Sequence, residues 1–292
     1  MLEIKTNDVL INVFDDMTSI YKYIKETPRR KKARNESCEN DYDFTKTHSF
    51  DEAVDLMRYG DDELYKHLLK EKKKIDIQKI IGNEIQKRKQ HNDIIGFQPN
   101  VPAYLTNNPM TMININQNKT SQRILNILLN ADVSAHVETD EVTQAGSVYL
   151  NAIDILEKLG YRCNLYLAYC VGNDANGQVP RLYMITKIKT DREPLNIKKT
   201  AFPIAHAGMF RRIGFRWIES CNCDLGENCD DITYRFNGYG HPNRKKDVMR
   251  NDLKKYLKKD FAIWSYQNVR SVSIKDALDE LKSFGIELNL EF

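Results

Sequence analysis

A group of cysteines followed by a histidine is the densest set of soft metal ligands in the sequence. Cys221, Cys223 and Cys229 form a C-x-C-x5-C arrangement, and His241 follows twelve residues later. Thiolates and imidazole are the ligands of structural zinc sites, so these four residues are a candidate Zn²⁺ site. The spacing differs from the common C-x2-C and C-x4-C patterns. The alternative is a polar loop that carries thiols.

A second candidate for metal chemistry follows the apolar run 123–129. Asp132 and Ser134 have an Asp-x-Ser spacing that resembles the metal-ion-dependent adhesion loop of von Willebrand factor A domains. In that family a carboxylate and hydroxyl groups present hard oxygens to Mg²⁺. The family loop continues with a second Ser, and this sequence has His136 instead. The alternative is a metal-free relative of the same fold.

Complete catalytic motifs are absent from the sequence. It contains no G-x-G-x-x-G after the first strand of the predicted sheet, no P-loop, no G-x-S-x-G and no H-E-x-x-H. Cys170 and His206 are a candidate nucleophile and base, and the alternative is two packed side chains. The absence favours a protein without enzymatic activity.

Basic residues occur in clusters that suit phosphates or other anions. The candidate anion-binding or nucleic-acid-binding residues are Arg29, Arg30, Lys31, Lys32, Arg211 and Arg212. Further basic clusters lie at 70–74 and 254–259. The alternatives are a solvated tether near residue 30 and, for the arginine pair, a tie from a helix to carbonyl oxygens of a neighbouring loop.

An α/β pattern positions most of these residues. The run 123–129 predicts a strand that is buried on both faces, and a long amphipathic helix and a second strand at 161–169 complete a βαβ unit. The short connection to a strand at 181–188 requires antiparallel pairing. Further strands are predicted at 261–264 and 286–290. The predicted fold is an open Rossmann-like α/β sheet with one antiparallel edge strand, and its order resembles the von Willebrand factor A fold.

The N-terminal part of the chain has helical signals. Apolar residues recur at three-to-four spacing from Val13 to Ile24, Ser49 and Glu52 form a capping box, and a lysine-rich helix is predicted over 61–89. The predicted organisation is a helical region over 1–95 with a basic linker near 28–47, and an α/β domain over 96–292 that includes the loop leading into it.

Composition limits the class of protein. The chain has 292 residues, a net charge of +3, 41% hydrophobic residues and 29% charged residues. This is sufficient for a core, and it excludes the uniformly basic surface of a nucleic-acid coat protein. No apolar run reaches the roughly 18 residues that cross a bilayer, so no membrane contact is expected. The N-terminus lacks a signal-peptide pattern, so we expect an intracellular protein.

Several short sequence blocks are similar to those of an uncharacterised family of bacteriophage-encoded proteins. The blocks are Ser49 to Ala53, Pro99 to Leu105, Asn108 to Met110, the helix around Gly146 that ends at Leu156 to Tyr161, Pro194 to Ile197, and Ala205 to Phe215. The family has Pro where Ala207 stands and Arg where Ala145 stands. The resemblance implies a phage origin and no particular activity.

These observations favour a non-enzymatic binding or assembly protein that acts through protein–protein interaction. As a phage product it is expected in the virion or in the host cytoplasm. Its expected partner is a phage or host protein, and in the host this includes a complex or defence system that it would antagonise. An oligomer is compatible with this function. The alternatives are a nucleic-acid-binding protein that uses the Lys/Arg clusters and a metal-dependent enzyme at Asp132 and Ser134, with Mg²⁺ or Zn²⁺ as the cofactor.

Overall fold

A six-stranded sheet with strand order β1-β2-β8-β7-β6-β9 forms the centre of the protein. The computed structural model describes the chain except for residues 31–32, 34, 40, 78, 82–89, 97, 116–122, 173–180, 222–245, 267–268, 287, 289 and 291–292. The described strands are β1 (Leu2–Lys5), β2 (Val9–Phe14), β3 (Gln90–Asp93), β4 (Gln98–Pro99), β5 (Met112–Ile115), β6 (Ile124–Asn130), β7 (Arg162–Val171), β8 (Arg181–Lys189) and β9 (Ala262–Ser265).

The central sheet is mostly parallel. The pairs β2–β8, β6–β7 and β6–β9 are parallel, and the pairs β1–β2 and β7–β8 are antiparallel. Strand β6 carries Ile127, Leu128 and Leu129, all completely buried. This near-continuous apolar composition is typical of a strand with protein on both faces.

Helices lie on both faces of the sheet. The described helices are α1 (Met17–Glu26), α2 (Tyr42–Thr45), α3 (Phe50–Tyr59), α4 (Asp62–Lys73), α5 (Val101–Leu105), α6 (Thr139–Lys158), α7 (Ile197–Ala205), α8 (Phe215–Ser220), α9 (Lys246–Leu257) and α10 (Ile274–Asp279), with a π-helical turn at Met209–Gly214 and 3₁₀ turns at Glu36–Cys38 and Glu280–Phe284. Helix α6 buries Val142, Ile153 and Leu156 in the larger core, and α9 buries Met249 and Leu253 in the smaller core on the other face.

The βαβ unit β6–α6–β7 and the antiparallel pairing of β7 with β8 confirm the sequence predictions. The predicted edge position of β8 is wrong, because β2 pairs with its other side in parallel register from Val9 and Arg181 onward. Residues 9–14 are a strand rather than part of a helix because this run is rich in β-branched and other apolar side chains, nearly all of them buried. Asp16 caps α1 through the backbone N–H of Ser19, so the helix begins only at Met17.

Two other predicted elements differ from the structure. The helix predicted over 61–89 is interrupted after Lys73, and the chain is helical again at residues 77 and 79–81. Ile75 and Ile77 pack against the larger core in this region. The strand predicted at 286–290 is not observed among its described residues, and Ile286 instead packs into the larger core. Ser49 caps α3 as predicted, by accepting the backbone N–H of Glu52, and Gly60 ends the helix with φ +89°.

A second, smaller sheet has the order β3-β5-β4. Together with α5 it lies within residues 90–115, which we call the arm. Its strands pair only with one another in the part of the chain that the structure describes. Residues Met112–Ile115 form β5, the central strand of the arm.

None of the helices in the described ranges combines the length and apolarity that spanning a bilayer requires.

Candidate functional site

Asp132 lies just beyond the carboxyl end of β6, which is where open α/β sheets bind ligands. Its side chain is only 2% exposed, and Oδ1 accepts the backbone N–H of Cys170 at 2.8 Å. The carboxylate therefore connects the ends of β6 and β7. Ser134 is half-buried and its carbonyl accepts the N–H of Val137, whereas His136 is exposed.

This arrangement does not fit an open Mg²⁺ site. Mg²⁺ needs near-octahedral oxygen ligands at about 2.1 Å and usually retains several waters. Asp132 is buried and one of its oxygens already serves a backbone amide. Within the described residues, no group of three or more His, Cys, Asp or Glu side chains is placed to hold an ion.

The predicted zinc ligands lie mostly outside the described residues. Cys223, Cys229 and His241 belong to 222–245, so their arrangement stays a prediction. Cys221 is fully buried, its Sγ lies 3.5 Å from the carbonyl oxygen of Ile218, and burial raises the pKa of its thiol to about 12. Cys221 therefore lies in the larger core, where its thiol packs among apolar side chains.

Cys170 and His206 have separate partners. Burial, followed by the nearby charge of Asp132, raises the pKa of the Cys170 thiol well above its usual value. His206 ends α7, where Nδ1 accepts the N–H of Gly208 at 2.9 Å and Nε2 lies 3.9 Å from Asp61. Burial lowers the pKa of His206 to about 4, so the ring is neutral at physiological pH. These contacts describe two packed side chains.

The described part of the predicted basic linker packs against α8. Arg29 Nε donates to Glu219 at 2.7 Å, and an Arg30 guanidinium nitrogen donates to the carbonyl of Ile218 at 3.1 Å. The carboxylate of Glu219 is fully buried and also accepts the N–H and hydroxyl of Ser37. Lys31 and Lys32 lie outside the described residues.

The segment Met209–Ser220, which we call the arginine segment, carries Arg211 and Arg212 inward. Arg211 is 1% exposed and donates to the carbonyls of Phe44 and Val137, both at 2.6 Å. Burial lowers the pKa of Arg211 to about 10, which still leaves it charged.

Arg212 is completely buried and makes five hydrogen bonds. It donates to the carbonyls of Ser37, Glu39 and Thr47 and to the hydroxyls of Thr45 and Thr47. These contacts correspond to the tie between a helix and a loop that the sequence offered as the alternative. Anion binding by this pair remains a prediction that the contacts do not favour.

Several lysines of the other basic clusters have local carboxylate partners. Lys72 pairs with Asp154 at 3.0 Å and Lys74 with Glu71 at 2.7 Å. In the cluster 254–259, Lys254 pairs with Asp260 at 3.2 Å. Such pairing reduces the charge available to a phosphate backbone.

The arm presents large apolar side chains to solvent. The exposed fractions range from 48% for Met110 to 78% for Ile95. The exposed apolar residues of the arm are Ile94, Ile95, Val101, Tyr104, Leu105 and Met110. In the described remainder of the chain, the exposed large apolar residues are Met1, Leu2, Tyr42, Tyr59 and Ile124, which belong to separate elements.

Local polar contacts hold the arm in shape. Asn100 caps α5 by accepting the N–H of Ala103, and its amide donates to Asn92 at 2.8 Å. The backbone N–H of Asn100 donates to the carbonyl of Thr111 at 2.7 Å. A Cβ at Gly96 would lie 2.2 Å from the carbonyl oxygen of Ile113, so this position requires glycine. The apolar side chains are therefore displayed on a defined scaffold.

Sequence reasoning did not identify the arm as a functional surface, although a signal was present. No Asp, Glu, Lys or Arg occurs between Asp93 and Lys119, whereas charged residues make up 29% of the whole chain. Depletion of charge together with enrichment in aromatic residues and Met is typical of the centre of protein interfaces. The Pro and Asn residues of this stretch indicate a loop, and its apolar side chains would ordinarily be expected to be buried. The sequence alone therefore does not indicate a binding surface here.

A known protein family matches nearly the whole chain. A family model described as a domain of unknown function, DUF7192, matches residues 3–288. The chain belongs to this family. The match extends over β1, β2 and the arm as well as the residues after 120, which confirms the expectation of an uncharacterised family. No curated protein and no solved structure matches the chain.

Proposed function

We propose that this DUF7192 protein is a non-enzymatic binding protein whose arm docks into an apolar, uncharged groove of a partner protein. The observation that carries the proposal is the cluster of exposed apolar side chains on the arm, in a stretch of chain without charged residues. Contiguous exposed apolar surface in a soluble domain is typical of an interaction site.

The chemistry of the arm defines the partner's surface. A charged groove would lose hydration against the arm without gaining an ion pair, because the arm offers no charge after Asp93. An apolar groove instead gains the burial of Ile95, Tyr104 and Leu105. Large side chains that become fully desolvated at the centre of an interface usually contribute most of its affinity.

A second copy of the chain is a poorer fit as the partner. Outside the arm, the exposed large apolar residues of the described chain are distributed over the N-terminal strand β1, α2, α3 and β6 rather than grouped in one unit. Self-association would therefore have to join two arms directly.

The polar interior supports a binding role rather than catalysis. Asp132, Cys170 and His206, the side chains with catalytic potential that sequence reasoning selected, each have structural partners. The finer proposals follow the sequence resemblances. The first is that the protein is phage-encoded and acts in the virion or in the host cytoplasm. The second is that its core is related to von Willebrand factor A domains, which is supported by the strand order β8-β7-β6-β9 with an antiparallel β8.

Site-specific photo-crosslinking tests the proposal. A photoreactive phenylalanine analogue replaces Tyr104 on the arm or, as a matched control, Tyr42, whose ring is 45% exposed on α2. The proteins are produced in the cells that naturally contain them, and adducts are identified by mass spectrometry. We expect one protein to crosslink from position 104 and not from position 42, and to bind the purified chain directly.

Two outcomes contradict the proposal. Adducts only between copies of this chain at position 104 would make the arm a self-association surface. Equal crosslinking from positions 42 and 104 would show that the arm has no preference for a partner.

A further inference from the structure

A groove lies between α1, α3, the end of β8 and the start of α7. Its volume is about 920 Å³, within the range of small-molecule sites. The lining includes Tyr21, Lys22, Arg58, Tyr59 and Lys199. It shares no residue with the arm, so its function is independent of the proposed docking.

Two tyrosines and an arginine form a stack in this groove. The guanidinium carbon of Arg58 lies 4.3 Å from the ring centroid of Tyr21 and 4.9 Å from that of Tyr59. Tyr21 is half-buried, whereas Tyr59 is 67% exposed. The stack therefore ends in an accessible aromatic ring, the kind of surface on which nucleobases stack in single-strand-binding proteins.

The carboxylates of the groove already have partners. Asp15 pairs with the N-terminal amine at 3.2 Å, and Asp16 caps α1. Glu193 accepts the backbone N–H of Thr190 and lies 3.6 Å from Lys199. Two of these three carboxylates therefore face a cation, and Asp16 faces the first backbone amides of α1.

The cations are less completely paired. Lys22 and Arg58 are exposed, and no carboxylate of the described chain lies within ion-pair distance of either. Lys199 is 59% exposed, and its partner Glu193 is at the long end of the ion-pair range. The available charge is therefore positive: the guanidinium of Arg58 lies against the ring of Tyr59, and Lys22 and Lys199 line the same groove.

We propose that this groove binds a nucleotide unit, with the base stacked on Tyr59 and a phosphate held by Lys22 and Arg58. A planar ring joined to an anion uses both features of the groove, whereas an acidic peptide would use only the cations. Free nucleotides and segments of single-stranded nucleic acid share this chemistry.

Fluorescence anisotropy tests the proposal with three probes. These are a fluorescent ATP analogue, a labelled single strand of about 15 nucleotides, and a labelled poly-glutamate peptide of matched charge. We expect the ATP analogue or the single strand to bind, with affinity that falls as salt increases, and the peptide to bind at least about tenfold more weakly. The preferred nucleotide probe identifies the source of the unit.

Variants locate the binding in the groove. Tyr59→Ala and Lys22→Ala are each expected to weaken binding about tenfold, and Arg58→Lys, which keeps the charge but loses the planar stack, by somewhat less. Tyr42→Ala and Lys275→Ala remove an exposed aromatic and an exposed lysine elsewhere and are expected to bind like the parent protein. All five positions are at the surface, and thermal unfolding verifies that each variant is folded.

Three results overturn the proposal. The first is no binding of either nucleotide probe at low salt. The second is binding that Tyr59→Ala and Lys22→Ala leave unchanged or that the two control variants reduce equally. The third is poly-glutamate binding as tight as that of the nucleotide probes, which would assign the groove to acidic peptides.

Discussion

The arginine segment and the arm reverse the usual distribution of side chains in opposite ways. In the arginine segment, Arg211, Arg212 and Glu219 are at most 1% exposed, whereas in the arm Ile95 and Leu105 are more than 70% exposed. Burying a charge is costly unless hydrogen bonds compensate for it, and exposing apolar surface forgoes the hydrophobic stabilisation of the fold. Each region therefore carries a free-energy cost that other interactions must offset.

The interactions that offset this cost differ between the two regions. Arg211, Arg212 and Glu219 hold Ser37 and the residues 44–47 against the helices, through the carbonyls of Phe44 and Ser37 and the hydroxyl of Ser37. The contacts that offset the cost of burying these charges therefore lie within the folded chain. No such contact among the described residues buries the apolar side chains of the arm, and we propose that a partner protein does.

Within these two regions, the largest effect on stability is expected from Arg212→Met. The substitution removes the guanidinium N–H donors from the carbonyls of Ser37, Glu39 and Thr47, of which Glu39 keeps the N–H of Asp41 and Thr47 keeps the hydroxyl of Thr45. Loss of the arginine's own desolvation cost offsets part of this, and we expect the free energy of unfolding to fall by about 3 kcal/mol. Urea denaturation measures the change. Arg192→Met, at an exposed arginine, is the control and should change stability by less than about 0.5 kcal/mol. Equal stability of both variants would contradict the structural role of Arg212.

A second large effect is expected at the contact between α6 and α7. A Cβ at Gly146 would lie 2.6 Å from the Cα and Cβ of Ala205, so Gly146→Val forces the helices apart. Overpacking of this kind destabilises a core by about 1–3 kcal/mol. The measurement is thermal unfolding, with Ser283→Val on the exposed end of the last 3₁₀ turn as a control. An unchanged melting temperature for Gly146→Val would show that the two helices do not meet this closely.

A smaller, pH-dependent effect is expected at His206, which precedes the arginine segment. Its pKa is about 4 in the folded protein and about 6.5 when unfolded, so the unfolded chain binds the proton more readily. Its contribution to stability is therefore complete above pH 6.5 and is lost as the pH falls towards 4. At pH 5.5 the loss amounts to roughly 1 kcal/mol.

The comparison with His206→Asn isolates this contribution, because Asn retains an acceptor for the N–H of Gly208. The difference in unfolding free energy between the two proteins should narrow, or reverse in favour of the variant, between pH 7.5 and pH 5.5. A constant difference over this range would mean that His206 is protonated as easily in the folded chain as in the unfolded one.

The smallest effect on stability is expected from the arm. Tyr104→Asp and Leu105→Asp remove side chains that are 69% and 74% exposed, so each should change the unfolding free energy by less than about 0.5 kcal/mol. Leu129→Asp in β6 is the matched change at a fully buried position and should prevent folding. A loss of several kcal/mol from either arm variant would place the arm in the core and remove the contrast.

Sequence patterns predicted the parts of the fold whose burial is uniform. The apolar pattern of β6 matches a strand with protein on both faces, and that of α6 matches a helix with one buried stripe. Both elements were predicted from these patterns. Strand β2 was missed because its apolar residues continue into the spacing of α1, and because its partner β8 lies far away in the sequence. Neither local pattern nor composition specifies such a long-range parallel pairing.

The candidate sites show the same limit. Arg211 and Arg212 were singled out by type, but most of their acceptors are backbone carbonyls that are distant in the sequence, such as those of Ser37 and Phe44, and no motif specifies them. The charge-free run of the arm is visible in the sequence. Whether Leu105 is buried or exposed depends on tertiary packing, so the run predicts an interface only once the exposure is known.

The affinity of the crosslinked partner for paired aspartate variants tests the central claim most directly. Tyr104→Asp and Tyr42→Asp introduce the same charge at two exposed tyrosines, one on the arm and one on α2. Isothermal titration with the purified partner should show at least about tenfold weaker binding for Tyr104→Asp, because the new charge would be buried in the groove. Tyr42→Asp should bind like the parent protein. Unchanged affinity for Tyr104→Asp, in a folded protein, would contradict the assignment of the arm as the binding surface.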